Sequence, residues 1–166
     1  MIRAARAILS LMILASMLGA CGFQLRSYNF EGNVASFAVT GQSRSQVAPA
    51  LRRTLRQVGI QEVEPEAAEL VVTILDQDIR RRSVSTAGAV RVAEYELDYR
   101  VRYEISDGEG QQLAAPLWVE RQRTYRVDQG NIVGSSEEQA LVERELLQDV
   151  VGQIVRAMDL VSRPKT

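Results

Sequence analysis

The sequence lacks the side chains on which several classes of enzyme and metal protein depend. Its 166 residues include no histidine, one cysteine at position 21 and one lysine at position 165. Without histidine there is no Ser-His-Asp or Cys-His nucleophilic site, and no zinc site built from cysteine and histidine. A single cysteine also excludes a disulfide within the chain, so stability must come from packing. We therefore predict no catalytic residue, no metal ligand and no cofactor.

Almost all of the basic residues are arginine, since the chain has 20 lysines and arginines together and only one lysine. The planar guanidinium fork binds phosphate and carboxylate groups through two parallel hydrogen bonds, which favours anionic ligands. A GC-rich genome produces the same bias without functional meaning, and we give that explanation more weight for the total. The informative feature is where the arginines cluster along the chain.

The N-terminus has the pattern of a secretory signal that ends at the cysteine. Arg3 and Arg6 precede an apolar run over residues 7–18, which two serines interrupt and which is too short to span a bilayer. Gly19 and Ala20 supply small residues directly before Cys21. The pattern resembles a bacterial lipoprotein signal, with residues 1–20 removed and lipid attached to Cys21. The alternative is an ordinary signal peptide with an incidental cysteine.

This resemblance implies that the mature chain begins at a lipidated Cys21. Two or three acyl chains anchor a protein durably at a membrane surface, whereas a single chain holds it only marginally. In such lipoproteins an aspartate after the cysteine favours retention at the inner membrane, and position 22 is glycine. We therefore expect the protein to be lipid-anchored to the outer membrane on its periplasmic side.

Composition predicts one domain in the mature chain. Removing residues 1–20, which include two arginines and no acid, leaves 146 residues with 18 basic and 21 acidic side chains. The formal net charge is then −3, and this length allows one domain with a substantial core. Residues 21–33 show no helical periodicity and are interpreted as a lipidated tether. Residues 34–163 are interpreted as a single α+β domain.

Periodicity predicts a short strand over residues 34–39 and an amphipathic helix after it. The apolar stripe of the helix repeats every three or four residues and ends before Gly59, which is the C-cap signal. Ser43 and Ser45 are the candidate N-caps. The stripe comprises Val47, Leu51, Leu55 and Val58. The opposite side, with Arg52, Arg53 and Arg56, is interpreted as a solvated outer face rather than a binding face.

Three long strands are predicted in the middle of the chain, over residues 70–84, 93–105 and 113–127. In the second strand, apolar and charged residues alternate throughout, which indicates one buried face, one solvated face and an antiparallel sheet. Its three tyrosines are assigned to the core. Residues 107–110 form a hairpin turn, and Pro116 indicates an edge position or a bulge in the third strand.

A long C-terminal helix is predicted, of roughly 24 residues by its apolar periodicity. Ser135 or Ser136 begins it with a capping box, and Pro164 stops it. The order is strand, helix, three-strand meander, helix. We therefore predict an α+β fold, a two-layer sandwich in which two helices pack on a mostly antiparallel four-stranded sheet.

Several short motifs resemble the LPS-assembly lipoprotein family LptE, in the same order along the chain. They are Cys21-Gly22 followed by Phe23-Gln24-Leu25-Arg26, the helix over 51–59 that ends before Ile60, the Ala93-Glu94-Tyr95 strand, the strand over 121–128 and the Glu138-Gln139 helix start. The resemblance covers nearly the whole mature chain. It implies a non-enzymatic protein that sits as a plug inside the LptD β-barrel and assists the folding of that barrel. It also implies binding of lipopolysaccharide (LPS) and its delivery to the outer leaflet.

The resemblance also implies a location for LPS binding. The ligand-binding positive charges of the family lie in the turn between the two middle strands and in the connection before the last helix. The predicted strand directions place both connections at one end of the sheet, where guanidinium groups would meet the phosphates of lipid A and the inner core. The expected contacts are Arg80, Arg81, Arg82, Arg91, Arg121, Arg123 and Arg126.

One feature departs from the family pattern, because residues 131–136 contain no basic side chain. An alternative role for the arginines also stays open, namely pairing with acidic residues on neighbouring strands. The acidic residues concerned are Glu94, Glu96, Asp98, Glu104 and Glu120.

Three other functions are weighed against this one. A lipoprotein accessory subunit of a lipid-trafficking ABC system would share the anchor, the size and the lack of catalytic groups. An enzyme acting through carboxylate pairs is disfavoured, because the candidate pairs lie on strand faces that the pattern predicts to be solvated. Those pairs are Glu94 with Glu96 and Asp76 with Asp78. Nucleic-acid binding is disfavoured by the acidic net charge.

Overall fold

Five strands and two long helices form the part of the chain that the structure describes. The computed structural model describes residues 30, 34–84, 92–128 and 130–163, so the predicted signal, Cys21, most of the tether and Arg91 lie outside it. The elements in chain order are β1 (Ser36–Gly41), α1 (Val47–Gln57), β2 (Gln61–Glu62), β3 (Leu70–Ser83), β4 (Val92–Ser106), β5 (Gln112–Asp128) and α2 (Ile132–Ser162).

The strands form one mixed sheet in the order β2-β1-β3-β4-β5. β3, β4 and β5 are an antiparallel meander, as predicted, whereas β1 is parallel to both β2 and β3. The α+β class with two helices is confirmed, and the prediction of four strands, mostly antiparallel, is corrected to five in a mixed sheet. A helix between two adjacent strands returns the chain to the starting edge, which makes β1 and β3 parallel. The fifth strand escaped prediction because its two residues are polar and exposed.

Both helices pack on the same side of the sheet, which we call the helix face. The alternation of β4 is confirmed, since Leu97, Tyr99, Val101, Tyr103 and Ile105 are all buried in one core with residues of both helices. The tyrosines Tyr99 and Tyr103 belong to this core as predicted. The opposite side of the sheet, which we call the open face, carries the charged residues of β4.

A bulge in β3 decides which side chains of its second half lie on each face. Ile74 pairs with Tyr103 and Asp76 pairs with Arg102, so Leu75 is an extra residue in β3. Directly paired residues of an antiparallel ladder share a face. Even-numbered residues of β3 therefore lie on the helix face up to Ile74, and odd-numbered ones after the bulge.

α1 begins at Val47, and N–H groups at its N-terminus donate hydrogen bonds to a side chain of β3. Ser45 accepts a hydrogen bond from the backbone N–H of Ala48 at 3.2 Å, as expected of a capping residue. The side-chain carbonyl of Gln77 accepts from the Ser45 hydroxyl at 2.8 Å and from the N–H groups of Gln46 and Val47 at 3.2 and 3.4 Å. Gly59 follows the helix with a φ of +88°, which confirms the predicted C-cap signal.

α2 is longer than predicted, with 31 residues, and begins before the two serines proposed as caps. Its N-cap is Asn131, whose side chain accepts a hydrogen bond from the N–H of Gly134 at 3.1 Å. Ser135 and Ser136 lie inside the first turn and bond back to helix carbonyls. The predicted start is therefore wrong by one turn. It was missed because Ile132 and Val133 are exposed and do not continue the apolar stripe.

The edge position of the third long strand is confirmed. β5 is the last strand of the sheet, and its register with β4 shifts between the Tyr103–Leu117 and Ile105–Ala114 pairs, where Pro116 lies. The hairpin before it closes as predicted, with the N–H of Gly110 donating to the carbonyl of Asp107 at 3.1 Å. Among the described residues, neither helix combines the length and the apolar character needed to cross a membrane.

Candidate functional site

The residues that flank the β3–β4 connection and those that flank the β5–α2 connection lie at one end of the sheet, as the strand directions predicted. Ser83 at the end of β3 pairs with Tyr95, and Val92 at the start of β4 pairs with Asp128 at the end of β5. Three residues separate the end of β5 from the start of α2. We call this region the loop end. The flanks of both connections are thus adjacent, while Arg91 lies outside the described residues.

The six described arginines of the predicted site lie on both faces of the sheet. Register places Arg80, Arg82 and Arg126 on the open face, opposite Asp98, Glu96 and Glu94 of β4. It places Arg81, Arg121 and Arg123 on the helix face, opposite Leu97 and Tyr99. The structure therefore divides the set into two groups of three. Arg81 is separated from its two neighbours by the alternation of the strand, and the bulge at Leu75 decides that Arg81 lies on the helix face.

The three arginines of the open face are each paired with a carboxylate. Arg82 is 2.6 Å from Glu96, and Arg126 is 3.0 Å from Glu94. Arg80 contacts Asp78 two residues earlier in the same strand. A further cross-strand pair joins Arg100 to Glu120 at 3.5 Å. The predicted pairing of the site arginines with acidic residues of neighbouring strands is therefore confirmed for Glu94 and Glu96, whereas Glu120 pairs with Arg100, which is outside the predicted set.

The open face is not strongly positive, because its acidic residues match its arginines. The pKa of Asp98 is raised, first by burial and then by the charge of Glu120, and the nearby Arg100 and Arg80 offset this only in part. Glu96, which was considered with Glu94 as a catalytic carboxylate pair, is buried against Arg82. These carboxylates therefore serve as ion-pair partners of the arginines around them.

Arg121 and Arg123 connect β5 to α2. Arg123 is 2.8 Å from Glu145 and 3.0 Å from Asp149, and its hydrogen bond to Asp149 is the main reason that its pKa is raised. Arg121 donates to the side-chain carbonyl of Gln153 and to its own neighbour's backbone carbonyl. Both side chains are therefore used in hydrogen bonds at the contact between α2 and the edge strand β5.

Arg81 differs from the other five because it is held by aromatic side chains. Its guanidinium lies 4.8 Å from the ring centre of Tyr95, and a hydrogen bond to the hydroxyl of Tyr125 raises its pKa. The two tyrosine rings are stacked with their centres 5.9 Å apart, and the Tyr125 hydroxyl donates to the side chain of Gln139 at 3.0 Å. We call these four residues the Arg81 stack. Within the described part of the chain, Arg81 has no carboxylate partner.

The sequence did not predict the Arg81 stack as a unit. Tyr95 was assigned to the core by alternation, and Gln139 entered only as a candidate capping residue. Both assignments concern local pattern, whereas the stack joins β3, β4, β5 and α2. The register of the three strands was the signal that could have found it, since it sets Arg81 beside the Tyr95–Tyr125 pair.

Three solved structures that share the fold are bacterial lipoproteins. A minor lipoprotein from Acinetobacter baumannii is 19% identical, with 80% of this chain and 96% of that one covered and a TM-score of 0.64. Lipoprotein B from Nitrosomonas europaea is 23% identical, with coverages of 83% and 90% and a TM-score of 0.67. Rare lipoprotein B from Shewanella oneidensis is 24% identical, with coverages of 74% and 92% and a TM-score of 0.62. The fold is therefore that of a class of small bacterial lipoproteins.

The family follows from the sequence itself. The lipopolysaccharide-assembly family LptE matches residues 32–158, which include all five strands, α1 and most of α2. The chain therefore belongs to the LptE family, as its motifs indicated, and this is a family of non-catalytic LPS-assembly lipoproteins. No curated protein sequence matches the chain significantly.

Proposed function

We propose that this protein is a lipid-anchored outer-membrane lipoprotein that acts as plug and assembly partner of an LptD-type β-barrel. Cys21 carries the lipid on the periplasmic side, and the folded domain binds LPS and assists its insertion into the outer leaflet. The observation that carries this proposal is the family match over residues 32–158. That match spans almost the entire described domain, so the family role concerns the domain as a whole.

In this proposal the phosphates of LPS bind at the loop end, with Arg81 as the central contact. Arg81 is exposed and is oriented by Tyr95 and Tyr125. A cation that packing already orients loses little conformational freedom when it binds an anion. It also has no carboxylate partner among the described residues that a phosphate would have to displace. Arg91 belongs to the same proposal, although it lies outside the described residues.

Arg80, Arg82 and Arg126 are secondary contacts in this proposal. Their side chains are 68%, 70% and 74% exposed, and exposed ion pairs contribute only about 0–1 kcal/mol. For Arg80 and Arg126 a phosphate can therefore replace the present carboxylate at small expense, whereas at Arg82 it would leave the buried Glu96 without its partner. Arg121 and Arg123, which bind α2, are expected to contribute least to LPS binding.

The partner is tested by affinity purification of the full-length lipoprotein from mild-detergent extracts of its own outer membranes, followed by mass spectrometry. Recovery of a large LptD-type barrel near one to one is the expected result. Recovery of ABC-system components without a barrel contradicts the proposal and favours the accessory-subunit function.

LPS binding is tested by changing Arg80, Arg81, Arg82 and Arg91 to glutamate in the full chain. Affinity for purified LPS is expected to fall at least about tenfold, because like charges then face the phosphates. A variant with Arg44, Arg53, Arg144 and Arg156 changed to glutamate has the same net charge and is expected to bind LPS nearly as the original protein does. Circular dichroism checks that both variants are folded. Unchanged binding in the folded loop-end variant removes this cluster from the mechanism.

A further inference from the structure

A groove separates the two helices on the side of the molecule away from the sheet. Its volume is about 450 Å³, and its floor is apolar, formed by Ala50, Leu147 and Val151. Two arginines line it from opposite sides, Arg53 of α1 and Arg144 of α2. The remaining lining residues are Thr54, Gln57, Gln148 and Gly152. This lining contains no acidic side chain.

Among the residues that the structure describes, the side chains of Arg53 and Arg144 have no ion-pair, hydrogen-bond or aromatic partner. Most of the described arginines make an ion pair, a hydrogen bond or an aromatic contact, and their neighbours Arg52 and Arg56 both contact Glu62. Within the described ranges only Arg44, Arg53, Arg144 and Arg156 make none of these contacts. Two of these four arginines therefore lie in the same groove.

The charges of α2 are sorted between its two sides, which leaves the groove positive. Glu145 and Asp149 are directed toward β5, where both contact Arg123. Arg144 lines the groove together with Arg53 of α1. The acids that would otherwise neutralise the groove are thus used on the other side of the same helix.

The lining also offers hydrogen-bonding groups suited to a peptide. Among the described residues, the side-chain amides of Gln57 and Gln148 have no hydrogen-bond partner. An amide both donates and accepts, so it can pair with the N–H or C=O of an extended backbone. Leu141, which is 49% exposed, lies one turn before Arg144 on the same side of α2 and extends the apolar floor.

We propose that the groove between α1 and α2 binds an acidic segment of a partner protein. In such a segment, carboxylates of Asp or Glu pair with Arg53 and Arg144. An aliphatic side chain of the same segment lies between these pairs and packs on the apolar floor. Bidentate pairing with guanidinium groups suits carboxylates, and the free amides hold the backbone between them. This site lies on the two helices, apart from the loop end, and does not depend on the identity of the barrel.

The test places a photo-crosslinking amino acid at Gln57 of the full-length, membrane-anchored protein in its own cells. The expected result is one protein adduct that maps by mass spectrometry to a segment rich in Asp and Glu. In the Arg53→Glu, Arg144→Glu variant, the yield of this adduct is expected to fall at least about tenfold, because like charges then face each other.

The matched control is the Arg44→Glu, Arg156→Glu variant, which changes two equally unpaired arginines outside the groove. It has the same net charge and is expected to keep the adduct. Changing the mapped acidic residues of the partner to arginine is expected to restore the adduct in the groove variant. Equal thermal unfolding of the two variants shows that neither result reflects misfolding.

Four outcomes overturn the inference. They are the absence of any adduct, an adduct with lipid instead of protein, an adduct on a segment without acidic residues, and a yield that falls equally in both double variants. Failure of the barrel proposal is a separate result, since it is decided by which protein is purified with the lipoprotein. An acidic adduct on a protein other than the barrel therefore supports the groove, and the barrel partnership is still decided by the purification.

Discussion

At the scale of single residues, two buried tyrosines differ in whether their hydroxyl groups have a hydrogen-bond partner. Tyr99 is fully buried and its hydroxyl has no hydrogen-bond partner within the described domain. Tyr125 is also buried, but its hydroxyl donates to Gln139 at 3.0 Å. A buried polar group without a partner lowers stability, whereas a partnered one contributes about 0.5–1.5 kcal/mol. The same substitution therefore has different consequences at the two positions.

Tyr99→Phe is expected to leave the free energy of unfolding unchanged or to raise it by up to about 1 kcal/mol, since it removes an unpaired hydroxyl. Tyr125→Phe, the matched control, is expected to lower it by about 1 kcal/mol and to loosen the Arg81 stack. Urea unfolding measures the free energy of unfolding of both variants. A larger loss for Tyr99→Phe than for Tyr125→Phe would contradict the assignment of hydrogen bonds.

Burial also gives Tyr99 a pH-dependent contribution to stability. Burial, with a smaller effect of Glu143, raises the pKa of Tyr99 to about 12, whereas a tyrosine in an unfolded chain has a pKa of about 10. The unfolded state therefore ionises first, and the contribution is present in full below about pH 10 and is lost as the pH rises toward 12. Burial also raises the pKa of Tyr103, so this tyrosine too contributes stability that is lost at high pH.

The free energy of unfolding is expected to fall between pH 9 and pH 12. This fall is expected to be smaller by roughly 2 kcal/mol in Tyr99→Phe than in the original protein. Tyr125→Phe is expected to keep the fall, because Tyr99 is still present. A curve that is identical in Tyr99→Phe and the original protein would show that this tyrosine does not ionise as its burial requires.

At the scale of elements, the start of α2 provides a direct test of a cap that the sequence pattern placed wrongly. Asn131→Ala is expected to lower the free energy of unfolding by about 1 kcal/mol, because the N–H of Gly134 loses its acceptor. Ser136→Ala is expected to change it by less than about 0.5 kcal/mol, since this exposed hydroxyl bonds only to the carbonyl of Val133. Thermal or urea unfolding measures the two variants side by side. Equal losses would place the helix start at the serine instead.

The elements themselves were largely predictable from pattern. β4 was predictable because its alternation over many residues reports burial directly, and Gly59 marked the end of α1 because a left-handed residue favours glycine. The cap of α1 was only partly predictable. Ser45 is local to the helix, whereas Gln77 reaches it from β3, and no local pattern reports a partner 30 residues away.

At the scale of the whole molecule, packing rather than ion pairing holds the two layers together. α2 contacts the sheet through fully buried apolar side chains such as Leu146, Ile154 and Met158. Its ion pairs with β5 run through Arg123, whose side chain is 44% exposed. Exposed pairs contribute little, since solvent and salt screen them.

Leu146→Ala is therefore expected to lower the free energy of unfolding by about 2–5 kcal/mol, because it leaves a cavity between α2 and the sheet. Arg123→Ala is expected to lower it by less than about 1 kcal/mol, and this loss is expected to shrink as sodium chloride is raised. Denaturant unfolding at low and high salt measures both effects. A larger loss for Arg123→Ala than for Leu146→Ala would show that ion pairs dominate the contact.

The sequence by itself determined which residues need burial, and with them the two helices, the three-strand meander and the membership of the LptE family. Those features depend on local periodicity and short motifs, which a single chain displays. Only the tertiary structure decided how the arginines are used. The bulge at Leu75 sets Arg81 on the helix face and Arg80 and Arg82 on the open face. α2 takes up Arg121 and Arg123, and the packing of α1 against α2 places Arg53 and Arg144 in the same groove. Strand register and helix packing join residues far apart in the chain, so a charge acquires its partner, or is left without one, only when the layers assemble.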